Sequence, residues 1–260
     1  MAYLVVALAA LAASGLTLFS GFGLGTLLLP VFALLFPIQV AVAATAVVHA
    51  LNNLFKLILL RRDVDRSLVL RFGLPAAVAA FPGAWLLTVL PSRPWMTWRA
   101  GDRTFEITPL GLVMGALILA FAAFEIVPAL YHWRPKAPLA LGGILSGFFG
   151  GLSGHQGALR AAFLTPLGLS PARFAATQAA IACMVDGARL AVYGASLYGA
   201  HAVAISGRDQ WPLVATATLA AFTGAWIGAR LLSKVTVGFV RFVTAGLLMV
   251  VGISLVIGLV

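Results

Sequence analysis

Charge is what this chain has least of. Asp, Glu, Lys and Arg make up 9% of its 260 residues against 62% hydrophobic, and the mean hydropathy is +1.06. So few polar groups cannot cover a soluble globule, and the composition indicates an all-α polytopic membrane protein. Acidic residues are the scarcer sign, seven against seventeen basic, for a net charge of +10. That surplus raises the question of nucleic acid. The basic residues are scattered through short connectors rather than gathered in a patch, so no nucleic-acid partner is expected. The single cysteine, Cys183, lies in an apolar stretch, which excludes an internal disulfide and a thiolate metal site. Neither H-E-x-x-H nor G-x-S-x-G occurs, so no enzymatic centre, metal or cofactor is implied. Ser153 and His155 are two apart, and on one helix they would face different ways. The apolar opening MAYLVVALAALAAS lacks the basic leader of a signal peptide and is read as mature sequence.

Glycine, by contrast, is concentrated. Ser146 to Gly157 reads SGFFGGLSGHQG, with five glycines and two serines inside an oily run from Leu139 to Leu167. Such density breaks a helix, and the freed backbone groups survive in a bilayer only where protein buries them or a polar cavity solvates them. Ser14 to Gly25, SGLTLFSGFGLG, has the same character. The rest divides into spans of about a membrane's thickness. The first half, 1–136, holds a broken hairpin at 2–36 and spans at 38–60, 67–90 (kinked at Pro75 and Pro82) and 108–131. The second half, 137–260, holds a broken hairpin at 138–167 and spans at 171–195, 211–230 and 238–259. The connector 91–107 is polar and carries two tryptophans suited to the interface.

The two halves repeat. Ala43-Ala44-Thr45 recurs as Ala175-Ala176-Thr177, and AAFPGAW (79–85) recurs as AAFTGAW (220–226). Charge then selects the topology. If both broken segments cross the membrane, the connectors carry seven Lys and Arg on each side. If both are re-entrant, ten lie on one side and Arg93, Arg99, Arg103 and Arg208 on the other. The second division obeys the positive-inside rule. It predicts two inverted repeats, each a broken re-entrant hairpin plus three transmembrane helices, with both termini outside. Broken helices meeting near the midplane are a transporter design.

On these residues the chain resembles the TauE/SafE family of membrane permeases. The resemblance rests on the glycine-rich breaks, on PIQVAVAATA (37–46) and SPARFAATQA (170–179), and on the segment from Gly224 to Leu231. It implies export of small sulfur-containing anions, sulfite, sulfonates and related organic acids, across the bacterial inner membrane. An anion channel and an importer of a small organic anion are the alternatives. His155-Gln156 departs from the family, whose members often have further glycines there.

Helix N-termini attract anions, which makes Ser20, Gly21, Phe22 and Gly23, and Ser153, Gly154, His155 and Gln156, the first candidates for substrate binding. His49, Asn52, Asn53 and Lys56 form one stripe of an apolar helix (i, i+3, i+4, i+7), and Gln178, Asp186 and Arg189 form another on the matching helix. Thr45, Thr177 and Gln178 join the substrate-binding set, as does Arg160, four residues after Gln156. His49, His155, Asp186, Arg189 and Lys56 are the candidates for coupling to protons or sodium, because ionisable groups inside a span are costly unless used. Packing by small residues, interfacial snorkelling of Lys56 and a static Asp186–Arg189 pair are the structural alternatives. A small anion and the lipid bilayer are the expected partners; oligomeric state is open.

Overall fold

A computed structural model of the chain describes residues 1–16, 24–197, 210–231 and 237–259. Its helices are α1 (Ala2–Leu16), α2 (Leu24–Ala33), α3 (Ile38–Leu60), α4 (Arg66–Leu68), α5 (Leu74–Val89), α6 (Pro109–Ile126), α7 (Pro128–Tyr131), α8 (Leu139–Ser153), α9 (Gly157–Leu164), α10 (Pro171–Leu197), α11 (Gln210–Leu231) and α12 (Val237–Val256). Among the described residues four stretches are long and apolar enough to cross a membrane: 38–63, 66–89, 109–126 and 210–228. The 27-residue α10 is long enough, but Arg173, Asp186 and Arg189 lower its hydropathy.

Proline and glycine set the local departures from the expected spans. α4 and α5 form one rod joined by a π-turn at Val69–Gly73, just before Pro75, and the helix continues through Pro82. A wider turn accommodates the missing N–H and the ring of Pro75. The span expected at 108–131 stops at Ile126 instead. Val127, ahead of Pro128, is pushed out of the helical region to φ −79°, ψ 113°. The polar connector is not helical either: β1 (Met96–Ala100) and β2 (Arg103–Ile107) pair antiparallel about Gly101, whose φ is +60°. Within it Trp98 stacks on Phe105 and donates through Nε1 to the Ile257 carbonyl at 2.8 Å.

Exposure is inside-out relative to a soluble protein. Val78 (62% exposed), Trp85 and Leu219 face outward, while Arg189 is completely buried. Lipid gives apolar side chains no reason to associate, so close backbone approach through small residues does the work. A β-carbon on Gly143, Gly147 or Gly151 of α8 would collide with the carbonyl of Phe72, Ala76 or Ala80, and one on Gly83 with that of Phe148. On the other side of the molecule a β-carbon on Gly224 of α11 would collide with the Leu11 carbonyl, and Gly228 meets Gly15. Gly83 and Gly224 are the matched glycines of the repeated AAFxGAW segment. Gly83 lets α5 press on α8, and Gly224 lets α11 press on α1. α10 packs against α3 and α5, and α3 in turn against α11.

The start of the long rod is tied to α10. Asp65 accepts from the Leu68 N–H at 3.1 Å and from Arg173 Nη2 at 2.8 Å, and its own N–H donates to Thr177 Oγ1 at 2.9 Å. The capping N–H first, and Arg173 after it, hold this carboxyl below the usual carboxylate range.

Candidate functional site

The second broken helix has a short break. α8 ends at Ser153, Gly154 caps it in the left-handed region at φ +82°, and α9 begins at Gly157. Ser146 Oγ donates to the Gln156 carbonyl at 2.9 Å, and Tyr193 Oη donates to the Gly151 carbonyl at 2.5 Å, so protein groups satisfy backbone acceptors at the break. α2 starts against it: a β-carbon on Gly25 would lie 3.6 Å from the Gly154 carbonyl oxygen and from Thr45 Cγ2, and 3.7 Å from His49 Cδ2. The expected site residues Ser20, Gly21, Phe22 and Gly23 fall outside the described residues.

Around this break α3, α9 and α10 bring together seven of the predicted side chains. His49 Nδ1 lies 2.6 Å from Asp186 Oδ2. Asn53 Nδ2 sits 3.1 Å from His49 Nδ1 and donates to the His49 carbonyl at 2.8 Å. Gln156 Nε2 donates to Asp186 Oδ1 at 3.1 Å, and Arg189 Nε to the same oxygen at 3.0 Å. Arg189 Nη2 is 2.8 Å from that oxygen as an ion pair, at an angle that does not make a hydrogen bond. Arg160 donates through Nη1 to Gln156 Oε1 at 2.9 Å and through Nε to Gln178 Oε1.

The remaining candidates fall around this cluster. Asn52 and Lys56 lie on an adjacent strip of α3. With the Asn52 amide assigned so that its nitrogen donates to the Ala221 carbonyl (3.2 Å), its oxygen accepts from Lys56 Nζ at 3.2 Å and from Ser14 Oγ at 3.1 Å. Thr45 is buried beside the break with no hydrogen bond to its hydroxyl among the described residues, whereas the Thr177 hydroxyl is used by Asp65. Ser153 and His155 do touch, at 3.2 Å, contrary to the expectation from helical spacing, because the chain leaves the helix between them. Ser153 gives its one proton to the Phe149 carbonyl (3.0 Å) and so accepts from His155 Nδ1. The imidazole stacks on Phe121 at 5.1 Å, and its Nε2 has no hydrogen-bond partner among the described residues. Sequence reasoning passed over Ser14, Ser146 and Tyr193. Tyr193 had a legible signal, since it follows Arg189 by one helical turn.

The electrostatic balance is one-sided. Arg160, Lys56 and Arg189 are all buried, and Asp186 is the only acidic side chain among the groups in contact here. Asp186 neutralises Arg189. Arg160 is different: both of its hydrogen-bond acceptors are neutral amide oxygens, and among the described residues no carboxylate lies within ion-pair distance of it or of Lys56. A buried guanidinium with no carboxylate in direct contact is costly, and an incoming anion lowers that cost. The carboxamides hold the guanidinium, and Asp186, on the far side of the Gln156 amide, meets its charge only beyond ion-pair distance.

A search of curated proteins gave no match. The family model described as Sulfite exporter TauE/SafE matches residues 6–255, nearly the whole chain, including both glycine-rich stretches and the buried polar cluster. The protein therefore belongs to the sulfite exporter TauE/SafE family of membrane transporters.

Proposed function

We propose that the protein is a carrier of small oxyanions, sulfite and sulfonates foremost, which it binds where the two breaks meet and moves outward across the bacterial inner membrane. The observation that carries this reading is Arg160, a buried cation whose hydrogen-bond acceptors among the described residues are both neutral amide oxygens. The N-terminus of α9 adds roughly half an elementary charge of positive potential beside it. Purified protein in liposomes on a solid-supported membrane is the test. Concentration jumps of sulfite, thiosulfate, sulfonates and small carboxylates should evoke charge displacement with at least one sulfur oxyanion. Silence toward all of them, the dianion thiosulfate included, together with no flux of labelled sulfite, removes the reading, and a sustained passive current would make the protein a channel.

The finer architecture belongs to the same proposal: 1–136 and 137–260 are inverted repeats, and 2–36 and 138–167 are re-entrant from opposite faces. The exchanged packing of Gly83 on α8 and Gly224 on α1 supports it, as does the ten-to-four charge division. Single cysteines at Pro135 and at Leu169, in a Cys183→Ala background, should both be shielded from an impermeant thiol reagent added outside. Labelling of either position from outside overturns the re-entrant path.

A further inference from the structure

The N–H groups best placed to hold an external anion already hold a carboxylate. Asp186, fully buried on α10, receives His49 Nδ1 from α3 on one oxygen; Gln156 Nε2 from the break and Arg189 Nε converge on the other. These donors belong to three separate elements that a single charge ties together. An ionised carboxylate presents two acceptor oxygens and one negative charge, and so does one edge of a sulfonate. Two such anions within a few ångströms repel, so Asp186 and a substrate cannot both stay ionised on the same donors.

We infer that Asp186 is a resident stand-in for the substrate, which gives up its donors by taking a proton, so that one proton and one anion occupy the site together. The inference rests on the oxyanion-carrier reading above. Its charge balance closes: an Asp186 carboxylate with the Arg189 cation becomes a neutral Asp186 carboxylic acid with the Arg189 cation and the substrate anion. The incoming proton ends on a carboxylate oxygen, and the N–H groups of Gln156 and Arg189 turn to the ligand. The other ionisable groups facing Asp186 are His49 from α3, Arg160 from α9, and Cys183 and Tyr193 from its own helix. A site built this way solves a carrier's difficulty. Three buried cations would otherwise trap an anion, and a resident carboxylate supplies the competitor that releases it.

Ethanesulfonate is a suitable probe, since it stays ionised throughout and any proton taken up must go to the protein. Calorimetry and a soluble pH indicator, on the full chain in detergent, read binding and proton uptake together. The parent should bind more tightly at mildly acidic than at mildly alkaline pH, with about one proton taken up per anion. Asp186→Asn, isosteric and uncharged, should bind about tenfold or more tightly at alkaline pH, the lower end of what one charged hydrogen bond contributes. It should take up no proton and turn over slowly in liposomes. A monodisperse Asn variant that binds no better than the parent, or that still takes up the proton, overturns the exchange. So does a parent that binds ethanesulfonate with no proton uptake, whatever the variant does. A parent that binds neither ethanesulfonate nor sulfite fails one step earlier and removes the carrier reading with it.

Discussion

Gly154→Val is expected to abolish transport while the protein still inserts and remains monodisperse. Two effects combine at this position. Its φ of +82° is disfavoured for any L side chain and worst for a β-branched one, a strain of about 1–3 kcal/mol. A β-carbon there would also lie 2.9 Å from Arg189 Nη1. An arginine tip usually swings aside, but this one is fully buried, bonded to Asp186 and within 3.4 Å of the Gly150 carbonyl. Moving it disturbs the donor set around Asp186, so the loss falls on binding more than on folding. Gly154→Ala should be intermediate, sharing the backbone strain with less bulk. Substrate-evoked currents, alongside size-exclusion profiles, separate the two contributions. Normal currents from the valine variant would make the glycine a packing device.

Arg160→Gln should weaken anion binding by about 1–3 kcal/mol, the range for hydrogen bonds to a charged group. The neighbours sharpen the expectation. Gln156 and Gln178 present carbonyl oxygens to the guanidinium, and a carboxamide N–H at position 160 can donate to such an oxygen without turning Gln156 away from Asp186. The variant therefore loses the charge without stranding a buried carboxylate, and a large folding defect is not expected. Arg160→Lys should recover only part of the affinity, because one ammonium cannot reach both amides and the ligand with the planar fork of arginine. Isotherms for sulfite or ethanesulfonate on the three proteins decide it. If the glutamine variant overlays the parent, Arg160 is structural and the helix ends bind the anion alone.

Much of the helical content was readable because helical periodicity is local. The span expected at 38–60 is α3 itself, and the second break falls among Ser153, Gly154, His155 and Gln156 as glycine density indicated. Pairs within one helical turn were also legible: Asp186 with Arg189, and Gln156 with Arg160. The segment 96–107 lies in what the sequence marks as a polar connector, and its strand pairing was not legible. There a polar, aromatic-bearing segment closes a hairpin at Gly101 outside the apolar runs that dominate the hydropathy.

The sequence by itself determined that the chain is a membrane protein, roughly where most of its helices run, and where the second glycine-rich break falls. Composition and periodicity act within one segment, so they need no knowledge of its neighbours. Only the tertiary structure decided which faces meet. His49 reaches Asp186 across 137 positions, Arg160 finds Gln178 on another helix, and Thr177, an expected substrate residue, turns instead to the Asp65 backbone. Those partnerships depend on helix rotation and depth, which Gly83, Gly147 and Gly224 set by letting backbones press together. Stripes of polar residues become one buried cluster only once that packing turns several of them toward one break.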